Sequence, residues 1–144
     1  MKNIFHGVPT VKEYQELCEE SGLTSPVEEF AAAALANSLF GVTLRGEDSE
    51  IIGMGRVIGD GACFFQIVDV LIKPAFKETD AGDLLMLEIL EYLRQNAPLK
   101  AQILTVSDVP GLKLYQKHGF KLIYPDFYGM TLTRDTLTTK QMER

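Results

Sequence analysis

An apolar strand, Ile67-Val68-Asp69-Val70-Leu71-Ile72, passes through Lys73-Pro74-Ala75-Phe76 into the polar loop Lys77-Glu78-Thr79-Asp80-Ala81-Gly82, and Asp83 opens an amphipathic helix. The chemistry this order offers is anion binding. A strand that feeds a helix through a glycine-containing loop aims unpaired main-chain N–H groups, and the positive end of the helix dipole, at one point. Lys77 adds a positive charge there, whereas Glu78, Asp80 and Asp83 bring carboxylates that weaken anion binding unless they turn to solvent. A solvated acidic loop that merely caps the helix is the competing reading. A second reactive group lies in the strand itself. Asp69 interrupts an apolar run where a lone carboxylate is costly, so it is either paired, with Arg56 or neighbouring main chain, or faces a cleft as a base.

The elements that must position these groups follow from pattern. Thr10-x-x-Glu13 and Ser25-x-x-Glu28 both read as capping boxes, with Pro26 at the first position of the second helix and Gly22 closing the first. Phe40, Val42 and Leu44 alternate as a half-buried strand. Ile51–Ile58 and Ala62–Ile72 form a hairpin about Gly59-Asp60-Gly61. From Asp83 to Asn96, Met86, Ile89, Leu90 and Leu93 oppose Glu88, Glu91 and Gln95, the stripe of a helix lying on a sheet. Ala101–Val106 reads as a strand, and Val109–His118 as a short helix with Asp108 at its N-cap and Gly119 at its end. Phe120–Tyr124 and Tyr128–Thr133 are expected as a final pair of strands, and a faint signal at Asn3–Val8 adds a first. The expected class is α+β in connectivity and layered α/β/α, with a mixed central sheet of six to seven strands and about four helices. Residues 1–135 are expected to form one domain and 136–144 a loose polar tail.

Composition narrows the function. In 144 residues, 46% hydrophobic and 24% charged, the longest apolar runs fall far short of the roughly 20 residues of a membrane span. No signal-peptide core opens the chain, so a cytoplasmic protein is expected, away from membranes. A formal charge of −6 argues against nucleic acid and mildly favours cationic partners such as amines. Cys18 and Cys63 offer neither a metal-ligand spacing nor a disulfide framework, and His6 and His118 build no triad; no metal is expected.

Three segments in order resemble the GNAT superfamily of N-acetyltransferases: Gly53-Met54-Gly55-Arg56 to Gly61 before the strand, the Lys77–Gly82 loop, and Leu114-Tyr115-Gln116-Lys117-His118-Gly119-Phe120, similar to the family's Leu-Tyr-x-x-x-Gly-Phe. In the loop, Lys77 stands for the family's Gln/Arg, Gly82 fits the last position, and Asp80 occupies the place of the first glycine, where a left-handed, strained turn is expected. The resemblance implies acetyl-CoA as co-substrate. Its pantetheine would pair with the main chain of Val70 and Ile72 where two strands splay, with a Val70 N–H able to stabilise an oxyanion. Its pyrophosphate would take main-chain N–H groups from Thr79, Asp80, Ala81, Gly82, Asp83 and Leu84, beside Lys77.

The same resemblance makes Tyr115 the general acid for the departing thiolate and Asp69 the candidate base, one position after the family's usual glutamate, where this chain has Val68. Arg56, Asp60 and Gln66 are secondary candidates for orienting the amine or relaying its proton; Phe127, Tyr128 and Met130 could line an acceptor pocket. Direct attack by a primary amine of a small molecule or peptide is the expected reaction, and a homodimer is compatible with the family. The alternative is a non-catalytic GNAT-like interaction or sensing module with a degenerate loop.

Overall fold

The computed structural model describes residues 2–137. In chain order they form β1 (Asn3–His6), α1 (Val11–Glu20), α2 (Glu28–Ala36), β2 (Phe40–Arg45), β3 (Ile51–Gly59), β4 (Phe64–Ile72), α3 (Ala81–Asn96), β5 (Gln102–Thr105) and α4 (Leu112–Lys117), with single 3-10 turns at Pro74–Phe76 and Arg134–Thr136. The five strands lie in sequence order, antiparallel except for the parallel pair β4–β5, which the α3 crossover makes.

Two apolar clusters sandwich this sheet. On one face Val42, Leu44, Ile52, Val57, Phe65 and Ile67 meet Ala81, Leu85, Met86, Ile89 and Leu93 of α3. On the other, Ile51, Met54 and Leu71 meet Tyr14, Leu17 and Cys18 of α1 and Ala31 and Leu35 of α2. The result is the α/β/α layering expected, with α3 packed close because β3 has glycine beneath it: a Cβ at Gly55 would stand 2.8 Å from Ile89 Cδ1.

Local signals differ in how they are realised. The Thr10 capping box is complete, with both the hydroxyl and the Glu13 carboxylate accepting main-chain N–H groups. Its second counterpart does not form: Ser25 donates instead to Glu19 (3.0 Å), and Val27 occupies the N-cap without a side-chain bond. The hairpin after β3 is longer than expected, because Asp60 Oδ1 accepts from the N–H groups of Ala62, Cys63 and Phe64 and delays β4 to Phe64. That triple acceptance holds the Asp60 carboxyl below its usual range and ties the group to the turn, far from any amine-orienting role. Asp108 Oδ1 accepts from Gly111 N–H, so α4 starts three residues later than the expected Val109.

Among the described residues the sheet has five strands, fewer than the six to seven expected. β1 forms, but Phe120–Tyr124 and Tyr128–Thr133 join no ladder. Period-two alternation specifies which side chains share a face and leaves the pairing edge open. Here the main-chain hydrogen bonds of that stretch are local, such as Phe127 N–H to Ile123 O at 3.0 Å. Of the polar tail expected from Thr136, residues 138–144 lie outside those described.

Candidate active site

The sheet opens where its parallel pair ends. β4 and β5 run in register from Phe64 opposite Gln102 to Ile67 opposite Thr105, and beyond that the two chains part. A cleft of about 540 Å³ fills the gap, walled by Val68–Ile72 on one side and Val106, Ser107 and Asp108 on the other, with Lys77, Thr79, Gly82, Leu114 and Tyr115 at its base. Lys73 N–H donates to Ile52 O (2.9 Å), so by alternation Leu71 also turns its main chain to β3, and the N–H groups of Val70 and Ile72 face the cleft.

A bulge shapes the same wall. The β3–β4 register slips between Met54 opposite Leu71 and Arg56 opposite Val68, and Asp69 takes up the extra residue at φ +52°. Asp is among the few residues that enter this left-handed region at modest cost. Its Oδ2 accepts from Tyr14 Oη (2.8 Å) and Arg56 Nε (2.7 Å), and Arg56 also donates to Ala34 O (3.3 Å). Burial, and then the neighbouring Asp69, push the Tyr14 phenol up to about 12. The network joins α1, α2, β3 and β4 at one point.

The helix start forms the base. Lys77 lies on the cleft and makes no ion pair among the described residues, whereas the carboxylates that threatened an anion are engaged. Lys2 Nζ donates to Asp80 Oδ1 (2.6 Å), and Asp83 binds Lys117 Nζ (2.8 Å) and His118 Nε2 (2.8 Å). These partners hold both carboxyls below their usual range, Lys2 acting on Asp80, and Lys117 more than His118 on Asp83. Asp80 is not strained: at φ −81° and ψ 8° it sits outside the left-handed region expected for it. Ala81 N–H donates to Thr79 Oγ1 and Leu84 N–H to Asp80 O, so Gly82 and Asp83 carry the N–H groups with no acceptor among the described residues. At Gly82 a Cβ would reach 3.2 Å from Leu114 and 3.4 Å from Ile72, so glycine lets helix, strand and α4 converge.

Tyr115 is half-buried at the cleft base, its ring edge-on to Phe120 at 5.5 Å. Burial lifts its phenol, with the Thr105 hydroxyl acting in the opposite sense. The phenol therefore keeps its proton at neutral pH.

A family profile for the acetyltransferase (GNAT) domain matches residues 14–133. The chain belongs to the GNAT acetyltransferase family. No curated protein matches the sequence. Among solved structures, a probable acetyltransferase of unknown function from methicillin-resistant Staphylococcus aureus is 35% identical, with TM-score 0.87 over 92% of this chain and 99% of that one. A GNAT acetyltransferase from Streptococcus pneumoniae shares the fold at 22% identity and TM-score 0.78, covering 93% and 98% of the two chains. So does a predicted acetyltransferase from Clostridium acetobutylicum solved with acetyl-CoA, at 14% identity and TM-score 0.69, covering 91% and 96%.

Of the residues the sequence singles out, this GNAT fold collects Asp69, Val70, Ile72, Lys77, Thr79, Gly82, Asp83 and Tyr115 on one cleft. Asp80, Ala81 and Leu84 do not line it. Arg56 is buried among its partners, and Gln66 lies opposite Leu104 on β5, so both are away from the cleft wall. Sequence reasoning missed Tyr14, Thr105 and Ser107. Tyr14 shares the apolar face of α1 with Leu17 and Cys18, and nothing at that spacing reveals a carboxylate 55 residues away.

Proposed function

We propose that this GNAT chain moves an acetyl group from acetyl-CoA to a primary amine of a small molecule or peptide by direct attack. The observation that carries the reading is the convergence of cleft-facing strand N–H groups, a free helix start, an unpaired Lys77 and a protonated Tyr115 around one opening. The donor set suits a pyrophosphate: Gly82 and Asp83 offer N–H groups, Lys77 offers charge, and two of the three nearby carboxylates already have cations. Acetyl-CoA, when bound, supplies an acetyl thioester as electrophile.

The chain's own residues supply the rest. The main chain of Val70 and Ile72 aligns an extended ligand along β4 as an added strand would. Val70 N–H is the donor for developing negative charge on a carbonyl oxygen. Tyr115 Oη holds a proton through neutral pH and can deliver it to a leaving thiolate. Asp69, on the wall, is the candidate to take the proton of the incoming ammonium; Arg56 and Tyr14 both bond its Oδ2 and so fix the carboxylate, which leaves Oδ1 to receive the proton. A cationic acceptor suits the formal charge of −6, and a cytoplasmic setting would supply the acetyl-CoA.

Calorimetric titration with acetyl-CoA tests the binding half. Micromolar affinity, weakened on the order of tenfold by Lys77→Glu, is expected from reversing one charge beside a partly exposed anion. Absence of binding at millimolar acetyl-CoA would sink the reading in favour of a non-catalytic module. For the chemistry, Tyr115→Phe should lower turnover with an accepted amine by about 10²-fold or more while leaving acetyl-CoA affinity unchanged.

A further inference from the structure

Asp80 stands where a helix takes its cap. It precedes Ala81, the first residue of α3, and aspartate in that position ordinarily accepts from the second or third helical N–H. In α3 those are the N–H groups of Gly82 and Asp83, the pair left without an acceptor among the described residues, since Thr79 Oγ1 takes only the N–H of Ala81 (3.2 Å). Yet the Asp80 carboxylate makes no bond to the helix it precedes. The Asp83 carboxylate is no rival for these groups, because Lys117 and His118 hold it.

The start of α1 shows the arrangement that α3 lacks. Thr10 holds ψ at 160° and accepts the N–H of Glu13 (3.1 Å), whereas Asp80 holds ψ at 8° and has its Oδ1 on Lys2 Nζ (2.6 Å). Lys2 is the better anchored of the two. It leads into β1, whose ladder to β2 begins with Asn3 opposite Arg45, and its side chain is 22% exposed against 64% for Asp80. The chain behind Asp80 is free to turn, since Lys77, Glu78 and Thr79 are all exposed.

We infer that Lys2 keeps the start of α3 open to an anion by drawing the Asp80 carboxylate away from the Gly82 and Asp83 N–H groups, which it would otherwise cap. Asp80 is then a built-in competitor for the anion site, and Lys2 is the positioning residue that removes it. An exposed ion pair and an N-cap bond are of similar strength, so loss of this one lysine tips the balance toward the cap. A ligand that needs the open form then binds more weakly in proportion to the fraction capped. The consequence for acetyl-CoA rests on the acyl-transfer reading; the position of the carboxylate does not.

Amide hydrogen exchange on the full chain without ligand, paired with calorimetric titration of acetyl-CoA, tests it. In Lys2→Met the Gly82 or Asp83 amide should exchange about fivefold more slowly than in the wild type, and acetyl-CoA should bind about fivefold more weakly, as one N-cap bond allows. Lys2→Arg, which keeps the cation, should match the wild type in both. Adding Asp80→Ala to Lys2→Met removes the cap and should restore both fast exchange and affinity. Adding Asp80→Asn instead removes the charge yet leaves a side chain that caps as well as aspartate, and should restore neither. Unchanged Gly82 and Asp83 exchange in Lys2→Met overturns the inference. So does a recovery of affinity with Asp80→Asn as full as with Asp80→Ala, which would show charge alone at work. A wild type that fails to bind acetyl-CoA refutes the acyl-transfer reading instead, and the exchange rates still decide whether Lys2 holds the helix start open.

Discussion

Asp69 and Asp83 both line one cleft, and each carboxylate holds two partners. Asp69 is 20% exposed and binds an Arg56 side chain that is 10% exposed, inside a three-layer sandwich. Asp83 is 30% exposed and shares its charge with Lys117, 64% exposed, and with His118. The contacts look alike on paper, at 2.7 and 2.8 Å. Their energetics differ because solvent readily replaces Asp83 for Lys117, whereas Arg56, 10% exposed, meets little solvent to take the place of Asp69. The first pair therefore anchors the fold together with the carboxylate it presents to the cleft, and the second mainly adjusts the charge that a ligand meets.

The largest test of that contrast is Asp69→Ala. It should cost about 3–5 kcal/mol in urea denaturation, since it strands a buried guanidinium and puts alanine at a left-handed φ. Adding Arg56→Met should recover much of the loss; a double variant as unstable as the single one would show that the bulge, rather than the charge pair, carries the cost.

The Glu13–Arg45 pair lies between the two in exposure, at 23% and 20%. The Arg45 hydrogen bonds, aided by the Thr10 cap, bring the Glu13 carboxyl from an ordinary 4.5 to about 2. Its folded value is depressed, so the unfolded chain binds the proton first as pH falls. The stabilisation is whole above about 4.5 and is lost between there and about 2. An NMR titration of Glu13 should find a midpoint near 2, and stability measured over that window should decline less steeply in Arg45→Ala.

Asp83→Asn is the smallest effect, less than about 1 kcal/mol of stability. Its consequence should appear in binding: with Lys117 and His118 released, acetyl-CoA affinity should rise a few-fold. A destabilisation as large as that of Asp69→Ala would erase the distinction between the two carboxylates.

Much of this architecture is legible in residue order. The stripe of Met86, Ile89 and Leu93 specifies α3 and the face it buries, and Thr10 with Glu13 closes α1, because neighbours within one turn decide both. Ser25 shows where such reasoning fails: the same motif forms no cap, since its hydroxyl finds Glu19 of the preceding helix. Asp80 is a second instance. Its place in the loop pointed to a strained turn and a repulsive charge, yet its backbone is relaxed and its carboxylate is bound to Lys2, 78 residues away. The last two strands were legible as alternation but not as pairing, for alternation specifies a face and leaves the neighbour undetermined.

The sequence by itself determined the elements up to α4, their order, and the types of side chain brought to β4, the loop and α4, because helix periodicity, capping and strand alternation are written within a few residues of one another. Only the tertiary structure decided which charges cancel, that Asp69 is anchored by Tyr14 and Arg56, and that the β5 edge stays open. Those outcomes depend on distances between residues far apart in the chain, which the packing of α1, α2 and α3 on the sheet sets and no local pattern encodes.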